Sequence, residues 1–190
     1  LTARLPLQLT PPQSQRFPMT RSPLLLALLI PMASPAMAQE VLGTFEARQD
    51  DTFRTWFITR DGAQSQSGWQ QMVPGFVDVS LWGHATDDTA TSVNEALILD
   101  FGVMTSAGAP VVMDPTLQYL SAGYGGGWLA LDDTSLSVAI ETFDVSDTGL
   151  TVAGTFTATL TYSTDVMKQT LDPSQTQIME GRFSAVLPPN

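Results

Sequence analysis

From Thr151 to Tyr162 apolar and polar residues alternate one by one. Val152, Gly154, Phe156, Ala158, Leu160 and Tyr162 take one side, and five threonines with one alanine take the other. A strand turns successive side chains to opposite faces, so this segment predicts one buried face and one threonine-coated wet face. The same rhythm closes the chain, where Met179, Gly181, Phe183, Ala185 and Leu187 face one way and Ile178, Glu180, Arg182, Ser184 and Val186 the other. It also appears at 43–48. Further strands are expected at 53–60, 68–73, 76–84, 95–103, 117–120, 127–131 and 135–145, with a short helix at 163–169.

Turn residues separate these runs: Asp61-Gly62, Pro74-Gly75, Asp87-Asp88, Gly108-Ala109-Pro110, Asp114-Pro115, Asp132-Asp133 and Asp147-Thr148-Gly149. Ser146 to Gly149, between two long alternating segments, is the clearest hairpin. Eight to ten strands without a convincing amphipathic helix predict an all-β domain, a single antiparallel β-sandwich or closed barrel. An outer-membrane barrel fits the length, but the outward positions carry Thr, Asp, Glu and Arg in place of a lipid-facing apolar band.

Gly-x-Phe-x-Ala occurs three times, at 43, 154 and 181. The unequal spacing makes it a recurring strand type and not a solenoid or propeller repeat. Glycine inside such a strand marks a bulge or a place where an aromatic ring lies over the backbone. The fuller pattern Gly-x-Phe-[Ser/Thr]-Ala-x-Leu at 154–160 and 181–187 resembles closing strands of small exported bacterial β-sandwich proteins without an assigned activity. That resemblance covers about the final forty residues and implies a fold, with no catalytic residue to carry across.

The front of the chain reads differently. Met-Thr-Arg-Ser from Met19, an apolar run over 24–30 and small residues ending in Ala36-Met37-Ala38 form the pattern of a secretory signal peptide. The apolar run is far shorter than the ~20 residues of a membrane span. The expected organisation is an upstream or disordered extension over 1–18, a signal peptide over 19–38 and a β domain over 39–190. The expected location is periplasmic or extracellular.

Charge and inventory narrow the chemistry. The chain has 8 basic and 19 acidic residues, a net charge of −11. Three arginines and no acid lie before residue 39, so the remainder carries about −14. A balance this acidic argues against nucleic acid as a partner, because each phosphate contact wants Lys or Arg. It also favours solubility and a monomer. With no cysteine and His84 as the sole imidazole, zinc, copper and haem lack their usual ligands, and no cofactor is expected. No G-x-S-x-G elbow serves a Ser-His-Asp triad, and the glycine-rich stretch 123–128 lacks the Lys-Ser/Thr of a phosphate loop.

Calcium is the remaining metal to weigh. Asp144-x-Ser146-x-Thr148-Gly149 copies the first half of an EF-hand loop, but Thr155 stands where the bidentate Glu belongs. The doublets Asp50-Asp51, Asp87-Asp88 and Asp132-Asp133 are expected to be solvated turn residues, with calcium binding as the alternative.

Phase supplies the candidate ligand-binding residues. In 77–84 the odd positions are the apolar ones, leaving Asp78, Ser80, Trp82 and His84 on the wetter face. An exposed tryptophan there, with Trp69, Tyr124 and Trp128 from flanking segments, would make a platform for a glycan or protein ligand; the plainer reading caps Trp82 with a neighbouring loop and ends the strand at His84. Three function classes follow: an exported non-catalytic binding module, a carbohydrate-active or other hydrolytic enzyme using paired Asp/Glu, and a structural subunit of a cell-surface assembly. The last would dock through an edge strand such as 176–187.

Overall fold

The computed structural model describes residues 39–49, 51–105 and 108–189. The expected extension and signal peptide, together with Asp50, lie outside them. Ten strands run in order: β1 (Glu40–Gln49), β2 (Thr52–Arg60), β3 (Gly68–Val73), β4 (Phe76–His84), β5 (Ala96–Met104), β6 (Val111–Tyr124), β7 (Gly127–Ala130), β8 (Leu136–Ser146), β9 (Gly149–Ser163) and β10 (Leu171–Leu187). No helix occurs among the described residues, and none is long and apolar enough to cross a membrane.

All pairings are antiparallel, and they close on themselves. The ring runs β1-β2-β4-β5-β6-β7-β9-β10 and returns to β1, with β3 added beside β4 and β8 beside β9. Two short seams complete the ring. One is β2 against β4 at Phe57↔His84 and Ile58↔Gly83; the other is β7, held between β6 and β9. β3 and β8 each pair along one edge only, and the seams leave part of β2 and of β6 paired on one side only as well.

The period-two rhythm sorts the side chains as expected. Val152, Phe156, Ala158 and Leu160 point into the ring, while Thr151, Thr155, Thr157 and Thr159 meet solvent. The three Gly-x-Phe-x-Ala strands prove to be neighbours, β9, β10 and β1. Their rings assemble one aromatic core: Phe45 lies 6.4 Å from Phe156 and 6.2 Å from Phe183, which reaches across to Phe101 at 5.8 Å. Pairs at these separations add about 0.5–1.5 kcal/mol each beyond area burial.

Two Asp-Pro dipeptides behave unlike the turn expected at the first of them. Asp114-Pro115 sits within β6 and Asp172-Pro173 within β10, each at a register shift. A bulge tolerates proline because one residue is already unpaired there, and Asp114 adopts a φ of 47°. The expected helix at 163–169 is also corrected. β9 runs on through Ser163, and Asp165 closes a turn by accepting from the backbone N and the Nζ of Lys168. Four residues of turn are too few to propagate a helix.

A second, smaller apolar cluster lies outside the ring. Ala96, Ile98, Leu120 and Leu129 pack there with Trp82, Val93 and Val166. The segments after β4 and β9 supply the cover. Glu95 N donates to the Leu120 carbonyl and Val166 N to that of Tyr124. Sheet faces normally wet in a small barrel are thus partly dry here, with consequences for the site.

Candidate functional site

Register brings four strands into two adjoining rows on the outer face. The first row is Gly68, Ser80, Asp100 and Thr116, and the second is Gln70, Asp78, Gly102 and Met113, drawn in order from β3, β4, β5 and β6. Residues directly opposite in a ladder share a face. Glycine at one end of the first row and inside the second leaves the surface low, and a depression of about 530 Å³ opens over both rows. Phe76 forms one wall, its ring lying across Gly102 so closely that a Cβ there would sit 2.8 Å from the ring carbons.

A hydrogen-bonded chain runs along the floor. Trp82 Nε1 donates to Ser80 Oγ at 3.2 Å, and Ser80 Oγ donates to Asp100 Oδ1 at 2.5 Å. Because the indole N–H can only donate, it fixes the serine proton toward the carboxylate. The second oxygen of Asp100 has no protein partner among the described residues. Burial raises the Asp100 carboxyl above its ordinary range, and the Ser80 hydrogen bond opposes that shift in part.

The structure distributes the sequence-predicted residues unevenly. Asp78 and Trp69 line the depression. Trp69 also packs on the main core, and its Nε1 donates to the Pro188 carbonyl at 2.9 Å. Trp82 stands at the margin, half-buried on the outer apolar cluster and tied in through Ser80. Tyr124 is exposed near the β6–β7 turn, and Trp128 stacks edge-on with Tyr162 at 5.2 Å; neither lines the depression.

His84 departs from the expected wet face. It is 1% exposed, with Nδ1 2.9 Å from the Ser92 carbonyl. The segment 85–95 folds back over it and is held by Thr59 Oγ1 donating to the Thr89 carbonyl and Trp56 Nε1 donating to that of Glu95. A carbonyl accepts only, so Nδ1 carries the proton and Nε2 is left buried without a partner. Burial holds the imidazole pKa below its ordinary value.

Asp100, Thr116, Met113 and Gly102 join the site without having been singled out in the sequence. The available signal was Asp100 itself, a single acid inside the apolar run of 96–103. A carboxylate in that setting is costly unless bonded, which marks the position for a purpose.

One acidic doublet, at Asp132, is taken up by its own turn. Asp132 Oδ1 accepts from the backbone N and hydroxyl of both Thr134 and Ser135. Asp144 to Gly149 forms the expected hairpin, with Ser146 paired to Gly149 and its hydroxyl accepting from Thr148 N. Among the described residues no three His, Cys, Asp or Glu side chains converge as a metal site would require. The expected edge strand at 176–187 is a correction as well. β10 pairs with β9 along one side and, from Met179 to Ala185, with β1 along the other, so most of the expected edge is already paired.

No protein-family model, no characterised protein and no solved structure matches the chain. The resemblance to small exported β-sandwich proteins therefore rests on the Gly-x-Phe strands alone.

Proposed function

We propose that this protein is an exported binding module that holds its ligand in the depression over β3, β4, β5 and β6. One observation carries this reading: Asp100 is set into a sheet face, oriented by Ser80 and Trp82, with an oxygen left over. A carboxylate held against a desolvation cost is better explained by a ligand than by stability, because replacing it would relieve that cost. Phe76, Met113 and Trp69 supply apolar surface around the polar floor, the usual composition of a small-ligand site. Export is supported by the leader pattern from Met19 to Ala38.

The test is a binding screen against soluble glycans, peptidoglycan fragments and small charged molecules, run on the wild type beside Asp100→Asn and Trp82→Ala. A ligand lost or weakened about tenfold in Asp100→Asn supports the reading. Hits that bind both variants as well as the wild type place the ligand elsewhere and end it.

A hydrolytic enzyme is the second reading, favoured by Asp78 and Asp100 together. They lie on adjacent strands, diagonal to one another on one face, where Cβ atoms are roughly 7 Å apart. That is within the reach of an acid and base pair in glycoside hydrolysis, and burial raises the Asp100 carboxyl as an acid would need. Turnover of chromogenic glycosides that disappears in both Asp78→Asn and Asp100→Asn would favour it over the binding module.

A further inference from the structure

The depression is lined by Asp78, Asp100 and Asp114, and among the described residues no Lys, Arg or His lines it. None of the three aspartates has an ion-pair partner among the described residues. The bases are spent elsewhere: Arg48 pairs with Asp51, Arg54 with Glu95, Arg60 with Glu40, Lys168 with Asp165 and Arg182 with Glu46. These are all the basic side chains within the described residues. Among the described residues no basic side chain lines the depression to complement these carboxylates.

A metal ion fits poorly as the missing charge, since among the described residues no three His, Cys, Asp or Glu side chains come together as its ligands. The walls point to the alternative. Phe76 and Met113 offer apolar contact at the same place, and Met104 and Val111 continue it as register partners in the next row. A ligand that satisfies both parts carries a cationic head and an apolar or aromatic arm. An ammonium at the Asp100 end would donate to the free Oδ2, while its arm lay along Phe76 toward Met113.

We infer that the ligand of this depression is a small organic ammonium ion bearing an apolar arm, its head held by Asp100 and Asp78 and its arm by Phe76 and Met113. The inference rests on the reading of the depression as the binding site and adds the chemical class of what fills it. A neutral sugar would leave the carboxylates uncompensated, and an anion would be repelled.

The probes are phenethylamine, the uncharged phenethyl alcohol and calcium chloride, each titrated into the 190-residue chain with amide resonances followed by NMR. The expected result is that phenethylamine shifts the amides of Gly68, Ser80, Gly102 and Thr116. Phenethyl alcohol should bind about tenfold more weakly or worse, and Asp100→Asn and Asp78→Asn should each weaken the amine about tenfold. Both variants keep side-chain shape, and an unchanged spectrum away from the site confirms that they fold. Equal affinity for alcohol and amine overturns the cationic head while leaving the depression as a binding site. Calcium competing for the same amides overturns it in favour of a metal ion. If the amine shifts none of these amides but a neutral glycan does, the inference falls and the binding module stands. If nothing in the screen shifts them, both fall together.

Discussion

Phe156 lies in register with Gly181, and its ring fills the space a side chain at Gly181 would need. A Cβ at Gly181 would sit 2.8 Å from Cζ of Phe156 and 2.6 Å from Cβ of Ala47. The relationship is reciprocal, because Phe183 lies in register with Gly154, 3.0 Å from where its Cβ would be. Two copies of one short pattern, run antiparallel, thus place each phenylalanine over the other's glycine.

Large and small side chains are exchanged across this pair, so changes in either direction should cost stability. Gly181→Ala should lose about 1–3 kcal/mol through overpacking. Phe156→Ala and Phe183→Ala should each lose about 3–5 kcal/mol. Urea unfolding followed by far-ultraviolet circular dichroism measures all three. A loss under about 1 kcal/mol at both phenylalanines would contradict the core assignment.

Most strands were legible because each needs only local information. Alternation from Gly149 to Ser163 and from Met179 to Leu187 fixes which face is wet, and the ring obeys it. The two rows of the candidate site were half legible. Asp78 and Ser80 share a phase, but their meeting with Asp100 depends on the β4–β5 register, which no local pattern contains. His84 shows the same limit from the other side. Its phase puts it on the face away from the core, yet the segment 85–95 folds over that face and dries it. Asp114-Pro115 carries a turn's composition, and only pairing on both sides of it reveals a bulge.

His84 should make the protein acid-sensitive. Its folded pKa lies below the ordinary 6.5, so the unfolded chain takes up the proton first as pH falls. Its contribution is intact above about pH 6.5 and is lost as pH drops toward the folded pKa. His84→Gln should flatten the stability profile between pH 7 and pH 5, roughly the range in which histidine titrates. Hydrogen exchange should show segment 85–95 opening first in the wild type. An unchanged slope in the variant would remove His84 from the account.

Ser80→Ala should move the Asp100 titration upward. The serine hydroxyl favours the charged carboxylate, and burial disfavours it; deleting the hydroxyl leaves burial unopposed. Carboxyl carbon shifts followed through an acid titration report the change directly. A downward or absent shift would mean that Ser80 does not donate to Asp100 in solution.

Asp100→Asn separates stability from binding, because the two should respond with opposite signs. The folded pKa of Asp100 is raised above its unfolded value, so its contribution is full below about pH 3.8 and is lost as pH rises through the folded pKa. At neutral pH the charged carboxylate therefore costs the folded state free energy. Asparagine keeps an oxygen that can accept from Ser80 and removes the charge, so the variant should unfold at a higher urea concentration than wild type at pH 7 and lose that advantage toward pH 4, roughly where a free aspartate titrates. Ligand affinity should fall in the same variant, as it does where a site holds a destabilising group for a purpose. A variant less stable than wild type at pH 7 would show that Asp100 supports the sheet, and the argument for a ligand from its burial would then fail.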